Sequence, residues 1–187
     1  MKQIILEKNR KIDKSYFDNY GEIGYSKSYK KFTYTPEYII QDTVDNHIFF
    51  DTLLDAGCAS GELVRDFRKL GVRAYGIENN LDILKKSVAP EFCVHMDILN
   101  MSSIKDKTFS LVYTNALMYL DPKQILGVLK EMHRISELGV YLCCPFLDSP
   151  NYFEDKYRKF LATRKWWEDI FTRAGFEKIN ERIYIKL

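Results

Sequence analysis

The 187-residue chain carries 28 Lys and Arg against 26 Asp and Glu, a formal net charge of +2, with 46% hydrophobic residues. That length suits one domain with a substantial core, and the near balance of charge excludes an electrostatic footprint for a long polyanionic partner. The opening Met1-Lys2-Gln3-Ile4-Ile5-Leu6-Glu7 is too short an apolar run for a signal peptide, and no later run approaches the ~18 apolar residues of a membrane span, so a soluble, cytoplasmic protein with no membrane contact is expected.

In chain order, residues 1–35 hold Tyr16, Phe17, Tyr20, Tyr25, Tyr29, Phe32 and Tyr34 among eight Lys/Arg and four Asp/Glu, with Gly21 and Gly24 as breakers. Few aliphatic residues follow Ile12, so the stretch cannot form its own core; it reads as an aromatic, basic lid segment on the main domain, 36–187. Pro36 opens a helix, with Thr35 as its cap, that runs through Ile39, Ile40 and Val44 to about Asn46. Strands and helices then alternate: strand 52–56, helix 61–69, strand 73–78, helix 81–87, strands 91–95 and 109–115, helix 122–136 and strand 139–144. A second polar-aromatic stretch, with Tyr152, Phe153, Tyr157 and Phe160, lies between Pro145 and Lys165; a helix capped by Gly175 and an extended tail, 176–187, end the chain. The alternation, with near-continuous apolar strands such as Val140-Tyr141-Leu142-Cys143-Cys144, predicts an α/β, doubly wound, mostly parallel sheet with helices on both faces.

The segment that points to chemistry is Leu53-Leu54-Asp55-Ala56-Gly57-Cys58-Ala59-Ser60-Gly61. It reads as strand, tight loop and helix start, where glycines admit a ligand to the backbone and the helix offers unpaired N–H groups. Glu78 closes the next apolar stretch 21 residues after Gly57, close to the ~20 that bring a carboxylate to ribose hydroxyls. Together they read as a site for a nucleoside-containing cofactor. The dinucleotide fingerprint is not met: Ala59 and Glu62 stand where its second and third glycines belong, and a glutamate there repels a pyrophosphate. No Gly-Lys-Ser/Thr follows, which excludes a P-loop. Cys58, Cys93, Cys143 and Cys144 show no Cys-x-x-Cys spacing and no local cluster with His47, His95 or His133; they read as reduced, mostly buried thiols, and no metal is expected.

Asp55-Ala56-Gly57-Cys58-Ala59-Ser60-Gly61 resembles motif I of the class I S-adenosylmethionine (SAM) methyltransferases, usually acid-x-Gly-x-Gly-x-Gly; Ala59 departs at the middle glycine, a small change in size. Arg73–Asn80 resembles the family's second strand and ribose-binding acid, Phe92–Ile98 the third strand, and Phe109–Leu117 the fourth strand with the motif beside the transfer site. Gly139–Cys144 resembles the fifth strand, and Trp167–Phe176 the helix and turn of the small-molecule (methyltransferase type 11-like) branch. The resemblance spans roughly residues 36–187. It implies six or seven strands, because only twelve residues follow Gly175 for the closing hairpin, which must pivot near Asn180-Glu181.

The same resemblance implies SAM as cofactor, S-adenosylhomocysteine as product, and methyl transfer to a small-molecule O or N acceptor. On this reading Asp55, Ala56, Gly57, Cys58 and Gly61 form the cofactor loop, and Asp55 accepts from loop N–H groups. Glu78 and Asn79 take the ribose, Asp97 and Ile98 the adenine, and Asn115 lines the cofactor side of the sheet edge. Tyr119 borders the acceptor, with Tyr25, Tyr29 and Tyr34 closing over it. His133, near the end of a helix whose dipole favours a protonated imidazole, is read as structural. Cys144 at a strand tip is disfavoured as a nucleophile, since nothing local depresses its pKa. No catalytic residue is identifiable. Two other readings stand beside this one: an RNA methyltransferase using the two aromatic-basic stretches as a groove, and a non-catalytic SAM-binding partner protein.

Overall fold

The computed structural model describes residues 3–6, 35–148 and 157–187. Its elements in chain order are β1 (Ile4–Leu6), α1 (Pro36–Asp45), β2 (Thr52–Ala56), α2 (Glu62–Lys69), β3 (Arg73–Glu78), α3 (Leu81–Leu84), β4 (Cys93–His95) and β5 (Phe109–Thr114). A 3-10 turn (Leu117–Tyr119) leads to α4 (Pro122–Ile135), β6 (Ser136–Leu142), β7 (Phe160–Ala162), α5 (Arg164–Arg173), β8 (Phe176–Lys178) and β9 (Ile183–Lys186).

Local chemistry sets most of these boundaries. Thr35 accepts the Tyr38 N–H at the start of α1, and Asp121 and Gln124 form a reciprocal capping box at the start of α4. In β2 the alternating side chains split between two cores. Leu54 and Ala56 pack with Val112, Leu129 and Phe171 on the face covered by α4 and α5. Leu53 packs with Ile39, Phe67, Tyr113 and Tyr141 on the face covered by α1 and α2.

Among the described residues, seven strands form the main sheet in the order β4-β3-β2-β5-β6-β9-β8. Neighbours from β4 through β6 pair in parallel, and β9 runs antiparallel to both β6 and β8. The open choice between six and seven strands is thereby settled at seven. The hairpin is as short as the tail demands, and the Asn180 side chain turns it by accepting from Arg182 N–H and Ile183 N–H, each at 2.8 Å. Gly139 lets β9 come this close: a Cβ there would lie 2.0 Å from Tyr184 O.

Three local features differ from expectation. Helix α3 ends at Leu84 rather than 87, where Ser87 folds back to accept the Ala89 N–H. Strand β6 follows α4 without a loop, starting at Ser136 and ending at Leu142 instead of spanning 139–144. Strand β1 pairs antiparallel with β7 in a separate two-stranded sheet, with Ile5 opposite Leu161. No helix among the described residues is long and apolar enough to cross a membrane.

Candidate cofactor site

Parallel pairing places Ala56 between Ile77 and Thr114, so the chain leaves the sheet at Gly57 beside the ends of β3 and β5. Gly57 adopts φ +90°, and a Cβ on it would lie 2.5 Å from Ala116 Cβ. The Gly57 and Cys58 N–H groups both donate to the Ile77 carbonyl, at 2.9 and 3.0 Å. Gly61, at φ +78°, occupies the N-cap position of α2.

Ala59, the departure from the glycine pattern, sits at φ +49°. What glycine offers at that position is therefore a left-handed backbone more than small size, and an L-residue there costs about 1–2 kcal/mol. The turn aims the Ala59 N–H at Glu78 Oε2, 3.0 Å away, while Asn80 N–H donates to Oε1 at 2.8 Å. Glu78 is 8% exposed; burial raises its pKa, and the amides of Asn80, Ala59 and Asn79 oppose that rise. Each carboxylate oxygen retains lone-pair capacity for a further donor, such as one of two vicinal hydroxyls.

Asp55 behaves differently from expectation. The loop amides go to Ile77 and Glu78, and among the described residues no hydrogen-bond donor reaches the Asp55 carboxyl, which is 4% exposed. Burial pushes its pKa well above the usual carboxylate range, and negative charge at Cys93, Glu78 and Glu62 pushes the same way. Glu62, in the first turn of α2, holds the Ser60 hydroxyl on its carboxylate.

Beyond Glu78, the residues Asn79, His95, Met96, Asp97, Asn100 and Ser103 line an open hollow of about 480 Å³. His95 Nε2 lies 3.1 Å from the Asn79 carbonyl and fixes that wall. Asp97 spends one oxygen on the Leu99 N–H, closing a turn, while its residue still borders the hollow. Ile98 is buried in the core and does not line the hollow.

On the opposite side of the loop, the buried Thr114 hydroxyl donates to the Ala56 carbonyl at 3.0 Å and accepts the Ala116 N–H at 3.2 Å. That brace holds Asn115, half-buried, beside the loop. Tyr119 closes the following 3-10 turn and is also half-buried, and Lys159 N–H donates to Met118 O in the same turn. Tyr25, Tyr29 and Tyr34 lie outside the described residues. The structure thus brings together Asp55, Ala56, Gly57, Cys58, Gly61, Glu78 and Asn79, with Asp97 and Ile98 on one flank and Asn115 and Tyr119 on the other.

Sequence reasoning missed the Ala59 amide, the Thr114 brace and the hollow's His95, Met96, Asn100 and Ser103. Only Thr114, a hydroxyl at the end of β5, left a visible signal. Burial pushes the Cys144 thiol well up, against its use as a nucleophile. His133 keeps its structural place, packed edge-on to Phe176 at 5.0 Å, but burial and then Lys186 hold its pKa below the usual value. The helix-dipole expectation of a protonated imidazole is reversed.

The donor set fits SAM. Glu62 and Glu78 place negative charge beside the loop, which repels a pyrophosphate and suits a ligand with a sulfonium and an ammonium. Among the described residues no three His, Cys, Asp or Glu side chains gather as metal ligands.

Residues 53–139 match the family model of the methyltransferase domain. No curated protein matches the chain. Among solved structures, a SAM-dependent methyltransferase from Archaeoglobus fulgidus is 22% identical, with 82% of this chain and 75% of that chain covered at a TM-score of 0.64. A SAM-dependent methyltransferase from Clostridium acetobutylicum is 14% identical, with coverage of 87% and 89% and a TM-score of 0.63. A SAM-dependent methyltransferase from Thermotoga maritima, named a possible histamine N-methyltransferase, is 20% identical, with coverage of 82% and 77% and a TM-score of 0.56. At these identities the likeness is one of fold. Residues 53–139 match a methyltransferase domain, and the fold around them is that of the class I SAM-dependent methyltransferases.

Proposed function

We propose that this protein transfers the methyl group of SAM to an O or N atom of a small-molecule acceptor. The observation that carries the reading is the packing of Gly57 against Ala116, which joins the cofactor loop and the turn bearing Asn115 and Tyr119 into one wall. Donor and acceptor then share a compact site, and alignment alone is worth about 7–11 kcal/mol in favourable cases.

The cofactor supplies an electrophilic methyl on a sulfonium with a built-in leaving group. In this reading Glu78 accepts from the ribose hydroxyls, the hollow beside Asn79 and Asp97 takes the adenine, and the Asp55 carbonyl oxygen accepts from a donor at the amino-acid end. Asn115 and Tyr119 border the acceptor. An amine acceptor needs its lone pair desolvated and free of a proton, whereas a hydroxyl needs a base. The lid assignment of residues 1–35 draws support from β1, which ties the start of the chain to β7, and from the Lys159–Met118 bond that ties this strand's approach to the 3-10 turn.

Near-neutral charge and the Thermotoga maritima fold relative support a small acceptor over RNA. Purified protein incubated with methyl-labelled SAM and separate metabolite and RNA pools tests the point. Label in the metabolite fraction is expected. Label in RNA alone overturns the acceptor class, and bound SAM with no transfer to either pool favours a binding partner without catalysis.

A further inference from the structure

Gly76, in the middle of β3, has two sulfurs over its missing side chain. A Cβ there would lie 2.5 Å from Cys58 Sγ and 3.1 Å from Cys93 Sγ. Cys58 belongs to the cofactor loop and Cys93 begins β4, so the two thiols meet across β3 although 35 residues separate them. Gly61 opens the same space from above, since a Cβ on it would lie 2.7 Å from Cys93 Sγ. Three elements, the loop, β3 and β4, thus leave one small chamber filled by two sulfurs.

We infer that Cys58 and Cys93 form a reversible disulfide that disables the cofactor loop. The two sulfurs sit side by side over Gly76, with the Cys58 S–H donating to the Ala59 carbonyl at 3.8 Å; the nearby Cys58 thiol, then the Ser87 hydroxyl, bring Cys93 down to about 7. The same contact, followed by burial, pushes Cys58 up. Cys93 is therefore the attacking sulfur.

The oxidant is a hydroperoxide, taken here as hydrogen peroxide. The Cys93 thiolate attacks one peroxide oxygen, the O–O bond breaks, and the released hydroxide takes a proton to leave as water. Cys58 then attacks the Cys93 sulfenic sulfur, the S–O bond breaks, and the departing hydroxide takes the Cys58 proton as a second water. Two thiols lose two electrons and the peroxide gains them.

The effect on the site follows from what Cys58 is attached to. An S–S bond of about 2.05 Å requires the two sulfurs to close from non-bonded contact, which draws Cys58 toward β4. Its own N–H is held by Ile77 O, and the next amide, Ala59 N–H, is bonded to Glu78. Moving Cys58 therefore displaces the amide that positions the Glu78 carboxylate. Bound SAM, packed on the loop, opposes the same movement and protects the pair.

The inference rests on the cofactor assignment only for its consequence, so the experiment reads the bond and the binding separately. The purified protein is treated with hydrogen peroxide with and without SAM. Peptide mass mapping then locates disulfides, and calorimetry gives SAM affinity before oxidation, after it, and after dithiothreitol. A Cys58–Cys93 linkage, slowed by SAM and accompanied by at least tenfold weaker, dithiothreitol-reversible SAM binding, is expected. Cys93→Ser should show no oxidative change relative to its own untreated affinity, whereas Cys144→Ser should respond as the parent does. Peroxide that leaves Cys58 and Cys93 unlinked, or a linkage that leaves SAM affinity unchanged, overturns the inference. Failure of the reduced protein to bind SAM would instead count against the cofactor assignment.

Discussion

Gly57 and Ala116 are in mutual contact so close that a methyl group on the first would lie 2.5 Å from the β-carbon of the second. One residue belongs to the cofactor loop and the other to the turn after β5, so the two segments pack directly on each other. Gly57→Ala should weaken SAM binding at least tenfold, through both the contact and the left-handed φ of +90°. Adding Ala116→Gly removes the contact but not the backbone strain, so calorimetry should show partial recovery. No recovery would mean the contact is incidental.

Much of this site was legible because its signals are local. Gly57, Gly61 and Glu78 announce themselves by residue type and spacing, and the strands of the parallel sheet by continuous apolar runs. The Ala59–Glu78 bond was not legible, because it depends on a left-handed φ that alanine does not advertise. The Cys58–Cys93 contact depends on strand order across β3, and β1 pairing with β7 on a partner far along the chain. His133 misled for a related reason: the helix dipole is read along the sequence, whereas its burial by Phe176 and its neighbour Lys186 come from the sheet edge.

Asp55 should link stability to pH. Its folded-state pKa is raised by burial, so the folded protein holds a proton that the unfolded chain releases near 3.8. Stability from this group therefore falls as pH rises from that value through the raised folded pKa. Asp55→Asn should raise the melting temperature at neutral pH and flatten this dependence, while weakening SAM binding. Thermal melts across pH that leave parent and variant parallel would show that Asp55 is not the titrating group.

Gly139→Ala should damage the closing hairpin. The new methyl would meet backbone atoms, 2.0 Å from Tyr184 O and 2.8 Å from Ile185 Cα, where no side chain can swing aside. A loss of at least about 2 kcal/mol in denaturant unfolding is expected, from overpacking and broken strand pairing. A variant with unchanged midpoint would show that β9 does not pair with β6 in this register.

The direct test of the whole account is calorimetry of the reduced protein with SAM, S-adenosylhomocysteine and NAD, repeated on Glu78→Ala. Micromolar binding of both sulfur nucleosides and none of NAD is predicted. The folded variant should bind SAM at least tenfold more weakly, because each lost charge-assisted hydrogen bond is worth about 1.5–3 kcal/mol. Absence of binding by either sulfur nucleoside, tight NAD binding, or an unchanged SAM affinity in folded Glu78→Ala would contradict it.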